Sequence, residues 1–330
     1  MTDHKSKKID AVFEGGGVKG SAFAGAIAVT EEQGYTFENL AGTSAGSLVA
    51  ALVAAGYKAD RIHEIMNEVD YTKFKDETFI DKIPLIGKGL NLLLKDGIYK
   101  GDYVEEWIES LLAQKGIKTF ADLVIPEYAN DPKFRYKLQA IASDITNNRF
   151  VVLPGDATNY GIDPDNLSVA RALRMSISIP FFFEPVIWGQ VPSYILDGGL
   201  LSSFPVWLLD DGTNNPPWPT IGYKLVDPAA GQPNKIDGPI KFLSAMFNTM
   251  TRAHDQRYID DHDFARTVPI PTLDIQGTDF DITTEQKEAL YQSGRQAAEK
   301  FFANWNFEEY KQKYRLDAPT SRTERIWKKK

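Results

Sequence analysis

Apolar residues in this chain fall in short blocks separated by glycines, and the first two blocks repeat one plan. Ile9-Asp10-Ala11-Val12-Phe13 predicts a short buried strand that runs directly into Gly15-Gly16-Gly17. Residues 21–33 place Ala22, Phe23, Ala26, Ile27 and Val29 as expected for a helix packed tightly on a sheet, closed by Gly34. A second strand, about 37–41, enters Gly42-Thr43-Ser44-Ala45-Gly46, and a second small-residue helix continues through Leu48, Val49, Leu52 and Val53 to Gly56. Strand, glycine turn and helix, twice in succession, predict a parallel α/β sheet.

Further along, 60–69 and 101–114 predict helices, the second carrying Val104, Trp107, Ile108, Leu111 and Leu112 at helical spacing. The apolar, glycine-punctuated stretch 83–94 between them fits neither period. Strands are expected at 137–142, 150–153, 194–196 and 220–226. Ser168 caps a helix through Met175, and helices are expected over about 239–264 and 284–302. Residues 211–219 read as a loop. Neither a repeat nor a linker appears, so one domain is expected over 9–305, between a polar leader (1–8) and a basic tail (306–330).

Composition narrows the picture. With 330 residues, 43% of them hydrophobic and 25% charged, the chain can bury a sizeable core. It has no cysteine, which removes disulfides, thiolate metal sites and a cysteine nucleophile. The leader has no apolar signal core, and the apolar run 48–55 is too short to span a bilayer, so a cytoplasmic protein is expected. The net charge is −8, yet 311–330 holds eight basic residues against Asp317 and Glu324. The acidic body argues against nucleic acid as a partner. The tail reads as a solvated terminus, with anionic lipid as the alternative contact.

Gly42-Thr43-Ser44-Ala45-Gly46 fits G-x-S-x-G where that pattern has mechanical meaning, with a strand entering and a helix leaving. Such an elbow lifts a serine hydroxyl above the sheet, at a helix amino end that favours developing negative charge. Gly15-Gly16-Gly17-Val18-Lys19-Gly20 is ambiguous by itself. With Glu38 downstream it satisfies a dinucleotide fingerprint, although Lys19 precedes Gly20 and so no P-loop forms. Alternatively, the bare amides of Gly15, Gly16 and Gly17 form an oxyanion hole, which the neighbouring elbow favours.

A nucleophilic serine needs a proton acceptor. The four histidines, His4, His63, His254 and His262, lack a strand-end setting, and the spacing of the last two does not suit a helical zinc motif. Asp197 ends the apolar run Tyr194-Ile195-Leu196 and precedes Gly198-Gly199. A carboxylate at a strand end belongs to the edge where ligands bind in parallel α/β sheets. Taken alone, Asp197 reads more readily as a turn residue bonding its own backbone.

Together the blocks 15–20, 42–46 and 197–199 resemble, in order, the G-G-G-x-K/R-G, G-x-S-x-G and D-G-G/A motifs of the patatin-like phospholipase family. Ala142-Ser143-Asp144-Ile145-Thr146 and the stretch 172–186 are also similar, and the likeness spans about 9–206. The resemblance implies a three-layer α/β/α fold around a mainly parallel sheet. It also implies Ser44 as nucleophile, Asp197 as sole general base, Gly15–Gly17 as oxyanion hole, and hydrolysis of phospholipid or other lipid acyl esters without metal or cofactor. Ser203, where the family often has Asn, and Phe181, where it often has a small residue and would narrow the pocket, depart from the pattern. Phe181-Phe182-Phe183 and 85–94 are candidates for the acyl slot and an interfacial lid over a transient membrane contact. Esterase, thioesterase or acyltransferase chemistry on the same pair is the alternative, and dinucleotide binding a remote one.

Overall fold

A computed structural model describes residues 7–75, 97–228 and 261–316, with a few positions between 236 and 250. The stretch 85–94, a candidate for slot and lid, lies outside the described residues, as do His4, His254, most of the helix expected at 239–264, and the tail beyond 316.

The amino-terminal repeat folds as its periodicity predicts. Strand β1 (Lys7–Phe13) leads through the glycine loop to helix α1 (Ser21–Glu32), then β2 (Tyr35–Thr43) and α2 (Ala45–Ala54). Next come α3 (Ala59–Glu68), β3 (Gly97–Tyr99), α4 (Asp102–Ala113), β4 (Leu138–Asp144) and β5 (Arg149–Leu153). Helix α5 (Val169–Ser176) follows, capped by the Ser168 hydroxyl on the Arg171 amide. The chain continues through β6 (Phe181–Phe183), β7 (Val186–Trp188), β8 (Ser193–Asp197), β9 (Thr220–Val226), α6 (Asp261–Ala265), β10 (Thr267–Pro271), α7 (Thr284–Phe302) and α8 (Phe307–Tyr314). Helix α8, with Tyr310 buried, gives ordered structure to the beginning of the segment read as a tail.

The main sheet runs β10-β9-β1-β2-β4-β8-β7 with β5 also on β4, so the fold is α/β. Pairing is parallel from β10 through β4 and antiparallel among β4, β5, β8 and β7. On β1, Ile9, Ala11 and Phe13 face the larger core, which takes in α1, α2, α3 and α7. Val12 points the other way, into a small cluster with Ala41, Ile141, Leu208 and Leu209. Strand β10 escaped the sequence reading because Pro269 and Pro271 argue against a strand. It is tolerated at the sheet edge, where one side needs no ladder hydrogen bond.

Three strands share the two edges of β4, and this decides where the site forms. Strand β5 pairs along 140–144, overlapping both the β2 pairing at 138–141 and the β8 pairing at 142–144. It therefore takes one edge alone, and β2 and β8 meet end to end on the other. Thr43 lies opposite Ile141, and Asp197 lies opposite the next residue, Ala142. A Cβ on Gly198 would sit 2.3 Å from the Ile141 carbonyl oxygen, so only glycine lets the chain turn at this junction.

Candidate active site

Ser44 stands between β2 and α2 with φ 52° and ψ −130°, in the left-handed half of backbone space that non-glycine residues avoid. The flanking glycines make the bend possible. A Cβ on Gly42 would lie 2.4 Å from the Gly46 carbonyl, and one on Gly46 would lie 2.3 Å from the Phe13 carbonyl oxygen. The bend puts Ser44 at the amino end of α2, where the helix dipole favours negative charge.

The Ser44 hydroxyl donates to Asp197 Oδ2 at 2.6 Å, across 153 positions of sequence. The other carboxylate oxygen, Oδ1, accepts the Gly199 amide at 2.7 Å. Asp197 is essentially out of water, and burial lifts its pKa from 3.8 to about 7 against the lowering pull of the Ser44 and Gly199 hydrogen bonds. Among the described residues, no histidine lies near this pair. The His63 ring stacks on Tyr291 and meets Glu288 at 3.0 Å, and His262 bonds Tyr310 at 2.7 Å.

The glycine loop packs beside Ser44: a Cβ on Gly15 would lie 3.3 Å from that of Ser44. The three amides assigned to an oxyanion hole are not equivalent. The Gly15 N–H donates to the Ser203 carbonyl at 3.1 Å and is committed to holding the loop. The Gly16 and Gly17 N–H groups carry no such bond among the described residues. Sequence reasoning missed Ala45, whose N–H is at the first position of α2, where a helix leaves its amides unpaired. Ser203 thus contributes its backbone, which is indifferent to the family's usual Asn. Glu38, needed by the dinucleotide alternative, lies five residues before Thr43 on β2 and pairs with Lys8 at 3.2 Å. At about 3.3 Å per residue this puts it roughly 17 Å from the carboxyl edge where the glycine loop sits.

Ser44 opens onto an apolar slot enclosing about 510 Å³ of empty space, including its open mouth. The walls come from the glycine loop (Gly17, Val18, Gly20), α2 (Ala45, Leu48), α3 and the turn after it (Met66, Tyr71, Phe74), Val104, Ile177, Ile179, Phe183 and Phe280. Of the three phenylalanines expected to shape a slot, Phe183 does so. Phe182 stacks on Phe280 at 4.6 Å, and Phe181 is 39% exposed at φ 66°, so it does not narrow the slot. The helical contributions of Met66 and Val104 were visible only as ordinary amphipathic periodicity.

A serine hydroxyl at a strained strand–helix bend, bonded to one buried carboxylate and facing an apolar slot, is the geometry expected of a carboxylic ester hydrolase. The model of the patatin-like phospholipase family matches residues 11–210, and the chain belongs to that family of lipid ester hydrolases. It is 40% identical over 303 residues to the uncharacterized protein YqhO of Bacillus subtilis, covering 91% of this chain and 99% of YqhO. It is 27% identical to the uncharacterized protein R571 of Acanthamoeba polyphaga mimivirus, covering 86% and 89%. In structure it is similar to VipD from Legionella pneumophila, with a TM-score of 0.56 at 17% identity, over 90% of this chain and 67% of VipD. The type III effector ExoU superimposes with a TM-score of 0.50 at 18% identity, and the match spans about half of that longer chain (53%).

Proposed function

We propose that the protein is a lipid acyl hydrolase of the phospholipase A or lysophospholipase type, acting in lipid breakdown through an acyl-Ser44 intermediate with Asp197 as general base. The observation that carries this is the 2.6 Å hydrogen bond from Ser44 Oγ to a buried Asp197 at the foot of an apolar slot. Oγ attacks the ester carbonyl carbon while its proton passes to Asp197 Oδ2. The tetrahedral oxyanion is met by the amides of Gly16, Gly17 and Ala45. Collapse breaks the ester C–O bond, Asp197 returns its proton to the leaving alkoxide, and water repeats the sequence on the acyl-enzyme to free the fatty acid. An aspartate raised to about 7 suits the role, because a base works best with a pKa near the working pH.

The apolar walls favour a long acyl chain, each methylene buried contributing about 0.8 kcal/mol. Phospholipid as substrate goes with transient contact at a membrane surface. Among the described residues no helix is long and apolar enough to cross a membrane. A long-chain fluorophosphonate tests the chemistry: a stoichiometric adduct on Ser44 is expected, with hydrolysis of a phospholipid panel that Ser44→Ala abolishes. Intact wild-type protein that takes no adduct and releases no fatty acid from any ester in the panel would refute it.

A further inference from the structure

The strained geometry of Ser44 has to be held by something other than Asp197, because a carboxylate bonded to the hydroxyl does not fix the backbone behind it. The end of α5 supplies that hold. The Ser44 N–H donates to the Ser176 hydroxyl at 3.0 Å, and the Ser176 hydroxyl donates to the Ile141 carbonyl at 2.6 Å. A serine hydroxyl has a single hydrogen to give. Spending it on Ile141 leaves only lone pairs facing Ser44, so the hydroxyl acts there as an acceptor. Two residues on, the Ser178 carbonyl accepts the Asp197 amide at 2.8 Å.

One short turn therefore grips the backbone of both reacting residues, and through Ile141 it is pinned to β4 beside the junction of β2 and β8. The turn itself is stiffened by the buried Arg174. Its guanidinium donates to the Ser178 hydroxyl, to the Lys100 carbonyl, and to the Glu184 carbonyl at 2.9 Å.

We propose that Ser176 is a positioning residue for the nucleophile, and that the Ser176–Ser178 turn is a bracket setting the Ser44–Asp197 geometry. The kinetic part of this rests on the hydrolase function proposed above, whereas the structural part does not. Misplacing a reacting group by about 1 Å costs on the order of a hundredfold in rate. Removing the Ser176 hydroxyl frees a backbone that sits in an unfavourable φ/ψ region and lets it relax. Ser44 then swings from Asp197 without any change to the slot that binds substrate. The same change withdraws one hydrogen bond that lowers the Asp197 pKa, so the basic group should titrate at higher pH.

The experiment compares wild type with Ser176→Ala and Ser176→Cys, the latter filling similar space with a weak acceptor. Rates are measured on a long-chain p-nitrophenyl ester and with a long-chain fluorophosphonate, and exchange of the Ser44 amide is followed by NMR. Both variants should lose at least about thirtyfold in kcat and in the maximal labelling rate, with KM within about threefold. Their pH–rate limb should move upward. The Ser44 amide should exchange at least about tenfold faster, while the amides of Ala51 and Leu52 further along α2, which do not bond Ser44, stay protected. A variant that folds and keeps kcat within threefold, with an unmoved pH limb, would overturn the positioning role; if Ser176→Ala does not fold, Ser176→Cys decides. Failure of the hydrolase function would appear instead as wild-type protein without turnover or labelling. Amide exchange still reads the bracket in that case, and unchanged Ser44 exchange in the variants would overturn it.

Discussion

Replacing Asp197 by Asn removes one buried charge and almost no volume, and its effect on stability can be worked from the site. In the native protein the carboxyl titrates at about 7, against 3.8 for an exposed aspartate, chiefly because burial penalises the ion. Between those two values the folded protein keeps a proton that the unfolded chain has released. Stability therefore falls as pH rises through the window from about 4 to 7, and the loss is complete above 7. A difference of roughly three pKa units at about 1.36 kcal/mol each amounts to about 4 kcal/mol. Asparagine has no such window, and its amide can still accept from Gly199 and meet the Ser44 hydroxyl. The advantage of Asp197→Asn over wild type should be about 2 kcal/mol at pH 5 and about 4 kcal/mol at pH 8. In thermal unfolding this corresponds to a gain of roughly 5–10 °C at pH 8 and about half that at pH 5. Asp10, also raised to about 7 by burial, titrates in both proteins and cancels in the comparison. Ester hydrolysis should meanwhile fall by at least roughly a thousandfold, since the proton acceptor is gone. Urea or thermal unfolding at the two pH values, beside a turnover assay, checks both effects. A difference in stability that does not change with pH, or a variant less stable than wild type at pH 8, would refute the reasoning.

In the wild type, kcat/KM should rise with pH and level off above a midpoint near 7, because only the ionised Asp197 can take the serine proton; a pH–rate series on a soluble ester reads it. Gly46→Ala should prevent the elbow from closing, since its Cβ would fall 2.3 Å and 2.5 Å from the Phe13 and Glu14 carbonyl oxygens. A loss of more than about 2 kcal/mol in denaturant unfolding is expected, with no labelling of Ser44. Val104→Phe should fill part of the slot, lowering kcat/KM for long-chain esters by about tenfold and leaving acetyl esters within twofold, as chain-length profiling would reveal. Replacing all four histidines should leave turnover within about threefold, because His63 and His262 bond Glu288 and Tyr310 rather than the reacting pair. Total loss in a folded protein would defeat the two-residue mechanism.

Much of the site was legible from residues alone because its parts are local. A G-x-S-x-G between an apolar strand and a small-residue helix states its own bend, and the ordered motifs at 15–20, 42–46 and 197–199 carried the family resemblance. The helices that wall the slot were legible as helices, but nothing marked Met66 or Val104 as facing a cavity rather than core. A buried apolar side chain has the same periodicity in either setting. The glycine loop shows the same limit: three glycines leave three unshielded amides in sequence, yet the fold spends that of Gly15 on the Ser203 carbonyl.

Residue order by itself determined the α/β class, the elbow at Ser44 and the candidacy of Asp197, since each depends on neighbours within a few positions. Only the tertiary structure decided that β2 and β8 abut along one edge of β4, bringing Ser44 and Asp197 within 2.6 Å across 153 positions. It also assigned the Ser176 hydroxyl to the Ser44 amide. Such contacts are set by which strands pair and which faces are buried, a free-energy balance over the whole chain that no local periodicity records.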